Sequence, residues 1–147
     1  MSVKVQPPSV MALQNGVRHA VNVRGMTLEA LIERDGTSCV WCGREMWRTD
    51  LTAEHLVPRS RGGRTSPENL TVACRACNRR RGTRPVVSHV RSLLDEGATP
   101  QPDRLLVSLG RLAESDRRDL AAYGARQHAL LARLLHERPL APGLPPH

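Results

Sequence analysis

The chain has 147 residues and contains two Cys-x-x-Cys pairs on either side of a polar segment. The first pair is Cys39 and Cys42, and the second is Cys74 and Cys77. Zinc prefers four soft ligands in a tetrahedron, and each Cys-x-x-Cys turn can supply one edge of it. Four thiolates leave no coordination position open, so the spacing predicts a structural zinc site. Two disulfides or a redox-active pair are the alternatives.

Near the cysteines lie side chains that could bind a second metal ion and activate water. Glu54 and His55 are adjacent, and Asn78 directly follows the last cysteine. One carboxylate and one amide oxygen are a sparse set of hard ligands, which suits Mg²⁺ because this ion keeps several waters and accepts phosphate oxygens. A neutral His55 could take a proton from the attacking water. Because neighbours on a strand point to opposite sides, Glu54 and His55 need a distorted strand to act together.

Positive charge is concentrated in the same part of the chain. The formal net charge is +8, and residues 54–84 contain eight arginines against two glutamates. This local density favours a polyanion such as nucleic acid, and a solvated basic surface is the simpler alternative. The arginines expected to contact nucleic acid are Arg59, Arg61, Arg64, Arg79, Arg80 and Arg81.

Local patterns around these residues predict a small α+β unit. A helix is expected over residues 28–34, capped by Thr27. Two short strands are expected over residues 51–57 and 69–73, separated by a loop rich in Gly and Arg. A helix over Arg75–Arg81 should begin directly on the second cysteine pair, so that zinc would fix the start of the element that carries Asn78.

Two regions flank this unit. An Asn-Gly pair between two β-prone runs predicts an N-terminal β-hairpin within residues 1–25. Apolar residues at helical spacing predict an all-helical extension over residues 85–138. The Pro-rich end, residues 139–147, is expected to be disordered. The apolar stripes of the extension are expected to be core contacts, and a face that binds a protein partner or a second copy is the alternative.

Large rings are scarce, because the chain has no Phe, one Tyr and two Trp. A small unit of this kind usually needs a metal, a disulfide or a partner for stability. Trp41 and Trp47 are expected to cover the cysteine turns, with base stacking as the alternative, and His89 is expected at the surface. Since no signal sequence or membrane span is visible, we expect a reducing cytoplasmic location without membrane contact.

Taken together, the motifs resemble the HNH endonuclease family, the ββα-metal nucleases, in its four-cysteine zinc-containing form. The resemblance covers residues 34–84, with the first cysteine pair, EHLVPRSRGG, PENL and CRACNRRRG in that order. It implies a zinc-stabilised ββα-metal nuclease core over residues 26–84. The implied activity is hydrolysis of phosphodiester bonds in DNA, most of all double-stranded DNA, with one divalent ion such as Mg²⁺ or Mn²⁺ at the scissile phosphate.

The resemblance also implies a role for each polar residue. His55 is similar to the general base of the family, and Glu54 occupies the metal-ligand position before it. Asn69 matches the central Asn, which orients the base and its loop, and Asn78 takes the place of the last His as a metal ligand. Position 54 is more often Asp or His in this family, and Arg81 stands where Lys is usual. The alternative to an enzyme is a zinc-stabilised nucleic-acid-binding module without catalysis.

Overall fold

The structure is a computed structural model that describes residues 26–140. The hairpin expected in residues 1–25 lies outside the described residues, as does most of the tail expected at 139–147. The described chain combines helices with a two-stranded sheet, which confirms the α+β class. In order, the elements are α1 (Leu28–Asp35), β1 (Leu51–His55), β2 (Leu70–Cys74), α2 (Arg75–Arg81), α3 (Val86–Asp95), α4 (Pro102–Ala113) and α5 (Arg118–Glu137).

Helix α1 covers one side of the sheet. It begins as the sequence predicts, because the side chain of Thr27 accepts a hydrogen bond from the backbone N–H of Ala30 at 2.9 Å. Its buried face contributes to a small apolar cluster with residues of both strands, and the buried members of that cluster are Leu31, Leu51, Leu70 and Val72. The helix therefore supports the strand that carries Glu54 and His55.

The two strands form an antiparallel pair in which every residue of β1 has a partner in β2. Leu51 lies opposite Cys74, and His55 lies opposite Leu70. The chain passes from β2 directly into α2, where the sulfur of Cys74 accepts from the backbone N–H of Cys77 at 3.4 Å. This strand, loop, strand and helix arrangement gives the ββα core that the motifs predict.

Helix α2 packs against β1 through one of its faces. Side chains at every third position of α2 donate to backbone oxygens on or just before β1: Arg75 to Thr49 (3.2 Å), Asn78 to Ala53 (3.3 Å) and Arg81 to His55 (2.5 Å). Positions three apart share one face of a helix, so a single stripe of α2 fixes the helix against the strand. The side chains in that stripe are consequently occupied by backbone contacts.

The helices after residue 84 pack against the cysteine segment, and one apolar cluster contains side chains from both. Its buried members include Cys39, Val40, Trp41, Leu56, Val57, Val86, Val90, Leu105, Leu109, Leu112, Leu120 and Leu131. The division expected at residue 84 stays a prediction, although this core crosses it. Helices α4 and α5 approach so closely that a Cβ on Gly124 would lie 2.6 Å from the backbone nitrogen of Ala113.

Side chains of helix α5 cap the first turn of α3. The first turn of α3 has no side-chain cap of its own. Instead, the backbone N–H groups of Val86 and Val87 donate to the Tyr123 hydroxyl (3.2 Å) and to Oε1 of Gln127 (2.9 Å). Among the helices of the described chain, none has the length and apolar content needed to cross a membrane.

Candidate active site

The four cysteines converge at the junction of the first cysteine turn, β2 and α2. Their sulfur atoms all lie within 4.8 Å of one another. A tetrahedral zinc with Zn–S bonds of about 2.3 Å needs sulfurs about 3.8 Å apart, so small side-chain shifts would close the site. None of the four forms a disulfide in this structure. Within residues 26–140, no other three or more His, Cys, Asp or Glu side chains come close enough together to hold a metal ion.

Burial makes the thiolate form of Cys39 dependent on a cation. Burial raises the pKa of Cys39 to about 11, while backbone N–H groups, including that of Trp41, oppose the shift. A thiolate is therefore costly at this position until a metal ion compensates its charge. Zinc binding would release the thiol protons, and its binding free energy would add to the free energy of folding.

His55 lies half-buried at the end of β1, where its side chain meets the following loop. Its Nε2 atom is 3.0 Å from Oγ1 of Thr65. Burial lowers the pKa of His55, and the charges of Arg59 and Arg81 lower it further. The imidazole is therefore neutral near pH 7, which is the form that can accept a proton. Sequence reasoning missed Thr65, because a single loop hydroxyl has no distinguishing spacing.

Asn69 is buried beneath this loop and holds its two ends together. Its Oδ1 atom accepts from the backbone N–H of Val57 at 2.9 Å, and its Nδ2 atom donates to the carbonyls of Val57 (3.1 Å) and Arg64 (2.8 Å). The loop closes so tightly that a Cβ on Gly63 would lie 1.8 Å from the carbonyl oxygen of Val57. Asn69 and Gly63 thus fix the segment that brings Thr65 to His55.

The turn between α4 and α5 contacts the same loop from outside. Arg117 donates to the carbonyl oxygen of Gly62 at 3.2 Å, and Arg64 pairs with Asp116 at 3.2 Å. The Asp116 carboxylate is exposed, and exposed pairs contribute about 0–1 kcal/mol. The helical extension therefore touches the loop beside His55, a contact between distant parts of the chain that no local pattern indicates.

Glu54 lies in the interior, away from the His55 imidazole. Its side chain is 4% exposed, with Oε2 accepting from the indole N–H of Trp41 at 2.9 Å and Oε1 paired with Arg81 at 3.1 Å. Burial raises the pKa of Glu54, and the Arg81 charge opposes that shift. Both oxygens accept from groups that can only donate, which is the pattern of a carboxylate. The strand distortion expected to unite Glu54 and His55 is absent from β1.

Glu54 consequently does not fit the open two-ligand site expected for a catalytic divalent ion. The carboxylate oxygens of Glu54 are buried and already paired, and the amide nitrogen of Asn78 donates to Ala53 at 3.3 Å. The Asn78 side chain is half-buried, and its Oδ1 atom makes no hydrogen bond within the described residues. In this structure Glu54 is partnered by Arg81 and Trp41, and the expected ligand set of Glu54 and Asn78 stays a prediction.

The six candidate arginines divide into three groups. Arg59, Arg61 and Arg79 are exposed and have no ion-pair partner within residues 26–140. Arg64 and Arg80 are paired at the surface with Asp116 and Glu96. Arg81 is 1% exposed, so the expectation that it contacts nucleic acid is wrong for this conformation. Arg81 lies three positions after Asn78, on the face of α2 that contacts β1, and its guanidinium therefore points inward.

The two tryptophans and His89 differ from one another in their environments. Trp41 is fully buried beside the cysteines, as expected for a cover of the metal site. Trp47 is 82% exposed, so the same expectation is wrong for it. His89 is 1% exposed and meets the Trp41 ring edge-on at 4.8 Å, which corrects its expected surface position.

Comparisons with known proteins agree with these motifs. Residues 39–93 match the family model described as HNH endonuclease. The CRISPR-associated endonuclease Cas9 of Corynebacterium diphtheriae is 29% identical over 69 residues, which are 46% of this chain and 6% of that protein. The crystal structure of the Type II-C Cas9 enzyme from Actinomyces naeslundii aligns at 17% identity with a TM-score of 0.44, covering 84% of this chain and 13% of that one. The chain thus spans a small fraction of both relatives.

Proposed function

Residues 39–93 belong to the HNH endonuclease family, and from this premise we propose that the chain hydrolyses phosphodiester bonds in DNA with His55 as the general base. The observation that carries the proposal is the state of His55. Its imidazole is half-buried and neutral, and its Nε2 atom lies 3.0 Å from the Thr65 hydroxyl. A positioned base of this kind contributes about 10²–10⁴-fold to a rate, because it removes the proton from water as the bond forms.

The proposed DNA contacts come from two surfaces beside His55. Arg59 and Arg61 lie on the loop that follows β1, and Arg79 lies on the outer side of α2. Their exposed guanidinium groups can bind phosphate oxygens with charge-assisted hydrogen bonds. Such contacts position a nucleic acid without reading its sequence. We therefore propose a DNA backbone path across the loop and α2, with His55 beside it.

The zinc site is proposed to act as a scaffold for this chemistry. Cys74 and Cys77 begin α2, and the first cysteine pair flanks Trp41, which contacts Glu54 on β1. A closed four-thiolate site has no open position for substrate or water. We accordingly assign zinc to folding. Because the Glu54 carboxylate is bound by Arg81 and Trp41, Glu54 is assigned no metal-ligand role in the proposed reaction.

A second candidate function is a nucleic-acid-binding module without catalysis. The environment of Glu54 favours it, since the residue at the acidic position of the motif is bound to Arg81 and Trp41. Such a module would retain the zinc site and the exposed arginines. It would have no use for a neutral histidine held beside a hydroxyl, and for this reason we prefer the nuclease.

Supercoiled plasmid DNA provides the test. Zinc-loaded protein is incubated with the plasmid in Mg²⁺, in Mn²⁺ and without added divalent ion. We expect nicking by the wild type and a loss of about 10²-fold or more in His55→Ala, in line with the loss of a general base. His136→Ala, which alters an exposed histidine of α5, is the matched control.

DNA affinity and circular dichroism are measured on the same samples. The proposal requires that His55→Ala remain folded and still bind DNA. Cutting by His55→Ala at the wild-type rate would refute the role of His55. DNA binding by the wild type without cutting under any of the three metal conditions would instead establish the non-catalytic module.

A further inference from the structure

Glu54 and Arg81 face each other in the interior, where neither side chain reaches solvent. The guanidinium is 0% exposed and the carboxylate 4% exposed, and Nη1 of Arg81 lies 3.1 Å from Oε1 of Glu54. Charged side chains of this kind are almost never buried without a partner. Each residue is therefore the counter-ion that makes the burial of the other tolerable.

The pair is connected to the zinc site through Trp41. The indole N–H of Trp41 donates to Glu54 at 2.9 Å, and the Arg81 guanidinium lies 5.4 Å from the centre of the Trp41 ring. Trp41 itself stands between Cys39 and Cys42 in the first cysteine turn. The ring thus contacts both members of the pair from one side, and the strand and α2 enclose them from the other.

Arg81 also holds the backbone from which the His55 side chain projects. Its guanidinium donates to the carbonyl oxygens of His55 at 2.5 Å and of Leu56 at 2.7 Å, and its Nε atom donates to Arg84 at 2.9 Å. The planar fork of arginine can make such contacts together, whereas a lysine ammonium offers a single donor point. One side chain therefore fixes the end of β1, the start of the loop and the end of α2.

We propose that the cation served by Glu54 is the guanidinium of Arg81 and not a divalent metal ion, and that the pair positions the backbone of His55. Glu54 is then a support of the site, and Arg81 is a positioning residue for the general base. The positioning role rests on the proposed function, whereas the pairing role does not.

The alternative, in which Glu54 binds a divalent ion, carries a physical cost. A metal ion could take the carboxylate only by separating it from Arg81, which would leave a buried guanidinium without its counter-charge. Removing one partner of a buried ion pair is strongly destabilising, while replacing both partners by neutral groups of similar size is often tolerated. Because of this difference, stability measurements can distinguish Glu54 as the counter-ion of Arg81 from Glu54 as a ligand of a divalent ion.

A double-mutant cycle tests the pairing role without any nuclease assay. The variants are Glu54→Gln, Arg81→Met and the double substitution, all in zinc-loaded protein. We expect each single variant to lower the melting temperature by about 8 °C or more, and the double variant to lose clearly less than the sum of the two single losses. The matched control is the exposed pair Arg133 and Glu137, where Glu137→Gln should shift the melting temperature by less than about 2 °C.

Titration with Mn²⁺ decides between the two cations. If Arg81 is the partner, Glu54→Gln leaves the Mn²⁺ affinity within about twofold of the wild type, or neither protein binds the ion. A loss of tenfold or more in Glu54→Gln at unchanged melting temperature would overturn the proposal. Additive melting losses in the double variant would overturn it as well.

The positioning role is tested on cleavage kinetics. We expect Arg81→Met to lower kcat with little change in KM, because Arg81 holds His55 and does not touch DNA. Arg81→Lys retains a cation for Glu54 but carries its N–H donors on a single nitrogen, and should recover part of kcat. A rise in KM alone would instead identify Arg81 as a DNA contact. If the wild type does not cut DNA, the proposed function fails, while the melting and Mn²⁺ results still decide the pairing.

Discussion

The two sides of β1 differ in how their polar groups are satisfied. On the outer side, His55 is half-buried and contacts a loop whose Asn69 anchor is entirely local to residues 57–69. On the inner side, Glu54 is bound by Trp41 from the cysteine turn and by Arg81 from α2. Adjacent residues therefore belong to different environments. The outer side keeps a reactive group accessible, and the inner side uses a charged group to join three elements.

The difference shows that chain adjacency does not by itself make a functional pair. Side chains on a regular strand alternate between its faces, so Glu54 and His55 could act together only through a kink. The strand instead keeps its register with β2 up to His55. Each side can consequently be disturbed separately, except at the zinc site and at Arg81, on which both depend.

Loss of zinc should have the largest effect, because it should unfold both sides of β1 and so remove the difference between them. Cys77→Ser takes away a ligand at the start of α2, and we expect loss of zinc together with loss of cooperative unfolding. Structural zinc contributes about 10–16 kcal/mol in small zinc-dependent peptides, which is comparable to the whole stability of a domain. Circular dichroism and metal analysis measure the outcome. Zinc-free protein that melts at the wild-type temperature would show that the cysteines are dispensable.

Replacement of Asn69 should affect the outer side alone. Asn69→Ala removes two buried hydrogen bonds and one partly buried one, and we expect a loss of about 3 kcal/mol in the free energy of unfolding. Amide hydrogen exchange should accelerate in the loop over residues 57–64. Asn69→Asp, which would bury a carboxylate against the carbonyl oxygens of Val57 and Arg64, should lose at least as much.

Trp41 reports whether the inner side remains intact in these variants. In a Trp47→Phe background Trp41 is the single indole of the chain. We expect its emission to be unchanged by Asn69→Ala. A shift equal to that caused by unfolding would mean that the two sides form one cooperative unit, and the contrast would then be lost.

The smallest expected effect is a loss of stability at acid pH. It originates on the inner side of β1, at His89. Burial lowers the pKa of His89 to about 4, and the charges of Arg84, Arg81 and Arg80 add to the shift. Because the folded pKa lies below the unfolded value of 6.5, the unfolded chain takes up the proton first. Stability is therefore lost as pH falls from about 6.5 to about 4, by up to about 3 kcal/mol.

His89→Met should reduce this dependence, since Met fills similar space and removes two ring nitrogens that are buried without a partner within the described chain. Urea unfolding between pH 7 and pH 4.5 measures it, with zinc content followed in parallel because thiol protonation also releases metal. His136→Met, at an exposed position, is the control. The same acid slope in His89→Met and the wild type would contradict the assignment.

Much of the fold could be predicted because its signals are local. Thr27 caps α1, Arg75–Arg81 forms a helix directly after the second cysteine pair, and both strands occur within two residues of their expected ends. Caps, turns and periodicity involve neighbours in the chain, so a short window contains the needed information. The burial of His89 was not predictable in this way, since the Trp41 ring that covers it is distant in sequence.

For the site itself, the sequence alone determined the soft ligand set. Four cysteine thiolates in two turns can coordinate a single metal ion, and thiolate ligands restrict which metal that is. The sequence also determined that His55 stands at the end of a strand before a loop rich in Gly and Arg.

Only the tertiary structure decided what Glu54 and Arg81 do. A carboxylate can serve a metal ion or a guanidinium equally well, and the choice depends on which cation the fold places beside it. The stripe of α2 along β1 places Arg81 there, with Trp41 on the other oxygen. Partners 13 and 27 positions away in the chain cannot be identified from local spacing, because their approach is set by the packing of α2 and the cysteine turn on β1.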